Sequence, residues 1–232
     1  LINQDNKIFC LNTKDGSLIW NILSISSFIK LQNLLSLAIT QEGDLIAITS
    51  SAYIFKISTQ TGDILWSRNT ADSMYANATD FFISSEIAIS DDKMIFSSGS
   101  NTFSFDLNNG ATNWKQAVRT ISTPIISGEN IFIVTDYGYF IILDKNTGKI
   151  ISSSNILKIL KKKKQKTKVT GFIMGSGKIY STTLNGFLIV SSATTGKPEH
   201  FKKIGAPNIS PLVINNGKLY ILTDKSKILV LN

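Results

Sequence analysis

The run Leu11-Asn12-Thr13-Lys14-Asp15-Gly16-Ser17-Leu18-Ile19-Trp20 returns twice further along the chain. It comes back as Ile57-Ser58-Thr59-Gln60-Thr61-Gly62-Asp63-Ile64-Leu65-Trp66, then as Phe105-Asp106-Leu107-Asn108-Asn109-Gly110-Ala111-Thr112-Asn113-Trp114. The chain has three tryptophans, and each stands four residues after the glycine of its run. Two fainter copies follow. Leu143-Asp144-Lys145-Asn146-Thr147-Gly148 keeps the aspartate and the glycine but loses the tryptophan. Thr194-Thr195-Gly196-Lys197 keeps the glycine, with His200 where the tryptophan is due. Glycines 16, 62, 110, 148 and 196 are 46, 48, 38 and 48 residues apart.

Periods in the forties, each holding several short strands, indicate propeller blades. Runs such as Tyr139-Phe140-Ile141-Ile142-Leu143 are β-branched and aromatic, suited to a buried strand. Asp144 or Asp106 bonds the backbone of the turn that follows it. The glycine supplies a positive φ, which costs other residues roughly 1–2 kcal/mol. The chain then reverses into an outer strand, whose Trp is placed to cover the gap to the next blade. Ahead of each turn lies another apolar run, as in Lys93-Met94-Ile95-Phe96 and Asn130-Ile131-Phe132-Ile133-Val134. A shorter one precedes it, as in Thr123-Pro124-Ile125-Ile126 and Ser210-Pro211-Leu212-Val213, where the prolines suit a strand's first residue. Each unit reads as a four-stranded meander. Leu31 to Leu37 is the one stretch with an ambiguous period.

The expected fold is therefore all-β: a single β-propeller domain over residues 1–232, with four-stranded antiparallel blades in an incomplete ring of about five to six. The first unit starts within its third strand, near Ile8, and the last stops at its third strand, near Leu231. The expectation is that N-terminal blades lie outside this sequence; the alternative is that the two ends pair into a small closed ring.

These runs resemble the PQQ-like propeller repeat, a small-apolar-Asp followed by Thr-Gly and a Trp. The order of Ile121-Ser122-Thr123-Pro124-Ile125-Ile126, then Ile131 to Thr135, then Asp144 to Gly148 is similar to the later blades of the BamB family, periplasmic lipoproteins of the outer-membrane β-barrel assembly machinery. The resemblance implies a non-catalytic scaffold, a periplasmic address at the outer membrane, and a protein partner such as the periplasmic domains of BamA. It also implies peripheral membrane association through a lipid anchor outside this sequence. Other propellers with this repeat are PQQ-dependent quinoprotein dehydrogenases, and related rings serve as sensors or polysaccharide binders, so repeat and function are separate questions.

The net charge is +8 and mostly local. Lys158, Lys161, Lys162, Lys163, Lys164, Lys166 and Lys168 crowd one stretch, and without these seven the chain carries +1. A nucleic-acid surface spreads its cations along a face that follows phosphates, so no nucleic-acid partner is expected. The lysine run reads as a solvated loop, with contact to anionic head groups as the alternative. Cys10 is the one cysteine, so no intrachain disulfide forms. His200 is the one histidine, so the usual zinc set cannot be assembled. The aspartates sit at turns, and no nucleophile elbow or phosphate loop is present. Catalytic, cofactor and metal residues are accordingly expected to be none.

Binding is expected at loops between blades: Met74 and Tyr75 in one, Arg119 in another, residue types that anchor interfaces. In the BamB family, loops of this kind dock on BamA through leucines, an arginine and acids. Here Arg119 and Ile121 stand where acids are due. The residues that hold the repeat are Gly16, Trp20, Gly62, Trp66, Asp106, Gly110, Trp114, Asp144, Gly148 and Gly196.

Overall fold

A computed structural model describes residues 1–3, 5–23, 36–49, 53–69, 84–120, 122–162 and 166–231. Met74, Tyr75, Ile121 and most of the ambiguous stretch from Leu31 lie outside the described residues. The chain forms two compact units, Leu1–Ala117 and Val118–Asn232.

In the first unit, β1 (Lys7–Leu11) pairs with β2 (Leu18–Leu23). Two four-stranded antiparallel meanders follow: β3 (Leu37–Ile39) to β6 (Ile64–Asn69) through β4 (Leu45–Ile48) and β5 (Tyr53–Ile57), then β7 (Ala88–Ser90) to β10 (Thr112–Gln116) through β8 (Lys93–Ser98) and β9 (Asn101–Asp106). The second unit holds β11 (Ile125–Ser127) to β14 (Ile150–Asn155), with β12 (Asn130–Val134) and β13 (Tyr139–Asp144) between. A 3-10 turn at Ile156–Ile159 leads to β15 (Val169–Gly175), β16 (Lys178–Thr183), β17 (Phe187–Ser192) and β18 (Pro198–Lys203). A three-stranded sheet closes it: β19 (Val213–Asn215), β20 (Lys218–Leu222) and β21 (Ile228–Leu231). Pro124 lies one residue before β11 and Pro211 two before β19, just outside the strands rather than at their first position.

The middle strands are apolar on both faces because each face meets a different sheet. On β4, Leu45 and Ala47 join Ile8, Ile22, Phe55 and Ile57 in one cluster. Ile46 and Ile48 point the other way and pack on Met94, Phe96 and Phe103 of the next sheet. The two-residue period of a strand makes this division automatic. In the second unit Phe132, Val134 and Phe140 meet Ile179, Phe187 and Ile189 in the same manner. Four-stranded meanders packed face to face on both sides are the blades of a β-propeller.

All five repeat turns have one geometry. The glycine amide donates to the carbonyl four residues back: Gly16 to Asn12, Gly62 to Ser58, Gly110 to Asp106, Gly148 to Asp144 and Gly196 to Ser192, at 2.8–2.9 Å. A bulge accompanies every one, at Cys10/Leu11, Lys56/Ile57, Thr112/Trp114, Ile142/Leu143 and Val190/Ser191. Past the turns, Trp20 stands opposite Cys10, Trp66 opposite Lys56 and Trp114 opposite Ser104.

The spacing of glycine and tryptophan has a physical cause. The Trp20 indole N–H donates to the Thr59 carbonyl, and that of Trp66 to the Leu107 carbonyl, both at 2.9 Å. Each acceptor lies three residues before the turn glycine of the following blade. A Cβ on Gly62 would stand 2.8 Å from Trp20 Cγ, and one on Gly110 2.8 Å from Trp66 Cε3. The glycine thus serves twice, for its positive φ and for the room its neighbour's indole occupies. Where the fourth copy has Ser152 instead of Trp, the Phe140 ring takes over and lies against Gly196. His200 stands at the tryptophan place of its blade, opposite Val190, and is exposed.

Candidate functional site

In the unit Val118–Asn232 the loops at one end of the sheets are laced together through the main chain. The turn between β12 and β13 (135–138) is tied to the loop between β14 and β15 (156–168). Ile156 N–H donates to the Gly138 carbonyl at 2.9 Å and Val169 N–H to the Asp136 carbonyl at 2.8 Å. That loop is tied in turn to the β16–β17 turn, with Leu184 N–H donating to the Lys168 carbonyl at 2.8 Å. Ile204 N–H donates to the Gly186 carbonyl at 2.9 Å, and Asp224 N–H to the Pro207 carbonyl at 3.1 Å. Each interblade loop is therefore fixed to the turn of its own blade and to the turn of the next.

Two glycines admit this lacing. Gly138 (φ +80°) lies under the Leu157 side chain, which packs where a Cβ would stand. Gly186 (φ +73°) faces the backbone of Gly205 and Ala206. Asn155 adds a cap on the 3-10 turn, its Oδ1 accepting from Leu157 N–H at 2.9 Å.

The side chains on this rim are chemically mixed. The Asp136 carboxylate is almost buried and meets two cations: Lys168 Nζ at 3.2 Å and an Arg119 guanidinium nitrogen at 3.9 Å. Lys168 also sits 5.4 Å from the centre of the Tyr137 ring. Between Tyr137 and Leu184 runs a groove of about 530 Å³ with Leu157 in its floor and Lys166, Thr167 and Lys168 along one side. Tyr137 and Leu184 are 67% and 57% exposed, which places apolar surface at the groove's lips.

Of the sequence-picked binding residues, Arg119 enters this arrangement through Asp136, whereas Met74 and Tyr75 are outside the described residues. Asp136, Tyr137 and Leu184 escape a reading of the sequence. Asp136-Tyr137-Gly138 looks like any other turn between apolar runs, and an aromatic residue at the turn is its one trace. Charge needs a correction too. The near-neutrality left after setting the lysine run aside conceals two opposite balances. Without that run the unit Val118–Asn232 has ten Lys and Arg against five Asp and Glu, a net +5, rising to +12 with it (17 against five); the unit Leu1–Ala117 has seven against 11, a net −4.

Among the described residues no three His, Cys, Asp or Glu side chains gather as for a metal ion. No helix among them is long and apolar enough to cross a membrane.

Comparison with solved structures gives propellers. BamB from Moraxella catarrhalis aligns with a TM-score of 0.68 at 19% identity, over 94% of this chain and 65% of that one. Sqt1 from Saccharomyces cerevisiae aligns with a TM-score of 0.74 at 15% identity, over 99% of this chain and 66% of that one. The quinohemoprotein alcohol dehydrogenase from Comamonas testosteroni aligns with a TM-score of 0.68 at 13% identity, over 95% of this chain and 49% of that one. The chain thus spans less than two thirds of the length of each, and at these identities the likeness is one of fold. No curated protein matches the sequence. The sequence profile described as "Outer membrane protein assembly factor BamB" matches residues 1–154, about two thirds of the chain. On that match, with the blades and their repeat turns, the chain belongs to the BamB family of outer membrane protein assembly factors.

Proposed function

We propose that the protein is a non-catalytic, protein-binding scaffold of outer-membrane β-barrel assembly, periplasmic and associated with the outer membrane. Its interblade loops take a protein partner of the BamA type, through that partner's periplasmic domains. The observation that carries this reading is the laced rim. Loops that would otherwise cost ordering entropy on binding are already held by main-chain hydrogen bonds, which favours tight, specific association. Family membership, the exposed Tyr137 and Leu184, and Arg119 paired with Asp136 support the same reading. Scaffolds of this kind draw most of their binding energy from a few anchors, at about 2 kcal/mol or more each.

The test is capture of partners from envelope extracts. The intact protein is expected to retain a BamA-type protein. The Tyr75→Ala, Arg119→Ala double variant is expected to keep its β circular dichroism and lose that protein. Arg119→Ala leaves Asp136 with Lys168, so folding should survive the change. Retention of the same partners at unchanged affinity by the double variant would show that these anchors are wrong. Oxidation of an alcohol or sugar by the protein with added PQQ and calcium would replace the scaffold reading with that of a quinoprotein dehydrogenase.

A further inference from the structure

We propose that the groove between Tyr137 and Leu184 binds an acidic, extended polypeptide segment carrying apolar side chains. This rests on the protein-binding reading above and names the chemistry of the partner at one place.

The first argument is charge. Lys158, Lys161, Lys162 and Lys166 are exposed and make no ion pair among the described residues. The unit that bears them holds 17 cations against five anions. Lys168, at the groove's edge, and Arg119 already share Asp136, so the loop's other cations are what a ligand would meet. A surface with this excess attracts acidic partners and raises their rate of encounter.

The second argument is shape. Lys166 and Lys168 border a concavity rather than a convex tip, and its floor and lips are Leu157, Leu184 and the ring of Tyr137. A membrane surface is flat and cannot enter such a groove, and phosphate backbones have no apolar group to place there. A peptide that alternates carboxylate and apolar side chains satisfies both features, with one face on the lysines and the other in the groove. The walls are also preformed. Leu184 N–H is bonded to the Lys168 carbonyl, and Asn185 N–H donates to the Thr167 hydroxyl at 3.3 Å, so both sides of the groove are fixed to each other.

The probe is a short labelled peptide of alternating glutamate and leucine, followed by fluorescence anisotropy. Binding is expected, and it should weaken at least about tenfold when salt rises from about 0.05 M to about 0.5 M. The Lys162→Glu, Lys166→Glu double variant is expected to bind more than about tenfold more weakly, and Tyr137→Ser to lose several-fold. The Lys202→Glu, Lys203→Glu double variant, with the same charge change on β18, is expected to stay within about twofold. Equal weakening by the two charge variants would reduce the effect to net charge and overturn the proposal. So would equal binding of a glutamine-leucine peptide, or no binding of the acidic one. Phosphatidylglycerol vesicles or an oligonucleotide binding in place of the peptide, with loss in the Lys162, Lys166 variant, would reassign the loop to lipid or nucleic acid. The scaffold reading is judged separately: if that variant still captures its partner from extracts, the groove is wrong and the scaffold stands.

Discussion

At the scale of single residues, backbone sign and local room can be separated. Gly16 and Gly186 have nearly the same φ, +72° and +73°. A Cβ at Gly16 would meet nothing within 4 Å, whereas one at Gly186 would lie 2.6 Å from the Ala206 backbone nitrogen. Gly16→Ala should then cost about 1–2 kcal/mol, the left-handed penalty alone. Gly186→Ala should cost clearly more, since main chain cannot step aside as a side-chain end can. Denaturant titration of the two variants decides it, and equal losses would refute the contact argument. Asp144 offers a second case. The Thr147 hydroxyl first, then the Thr147 N–H, hold its carboxyl below the usual carboxylate range. A carboxyl depressed in the folded chain stabilises it above the ordinary carboxylate pKa, and that contribution fades as pH falls through the folded value. Thr147→Val should move the Asp144 titration upward, seen by NMR, and make the fold lose less stability on acidification.

The interlock of tryptophan and glycine belongs to the scale of strands and turns. Trp66→Ala should cost about 3 kcal/mol, the low end for a large aromatic because the ring is half-buried. Lys162→Ala, on an exposed loop, should stay under about 0.5 kcal/mol. The sharper test is coupling: Gly110→Ala should cost less in the Trp66→Ala background, because the ring, one of the two side chains a Cβ would strike (the other is Arg68, at Cγ), is gone. Strictly additive losses would show that the two do not interlock. This is also the scale at which the sequence is most informative. Turn, bulge and outer strand recur every 38–48 residues because one local geometry demands Gly at a fixed place and takes a short polar residue, Asp, Asn or Ser, four positions before it. Phe140 shows where that legibility ends. Its role against Gly196 comes from a different strand than the Trp it replaces, and no spacing rule points there. The same holds for the groove: Tyr137, Leu157 and Leu184 meet because three separate loops converge, and nothing in any one loop announces the others.

For the molecule as a whole, family, repeat and blade agree. The interblade loops of the unit Val118–Asn232 are held largely through the main chain. Their order rests on carbonyls and amides, as between Gly138 and Ile156, Lys168 and Leu184, Gly186 and Ile204. The amides of Leu184 and Ile204 should accordingly exchange with solvent deuterium slowly, at rates like those of β16 and β17 rather than of free loops. Rapid exchange there would mean that the rim opens independently of the blades. If it does not open, mutation has an asymmetric effect on this end of the molecule. A frame tied through atoms common to every amino acid places few demands on which side chains it carries. Outside glycines 138 and 186 and the few side chains that also tie the loops, Asn155, Leu157 and Thr167 among them, residues along the rim can be exchanged during descent without redrawing its path. Binding preference can then drift, lineage by lineage, on an unchanged support.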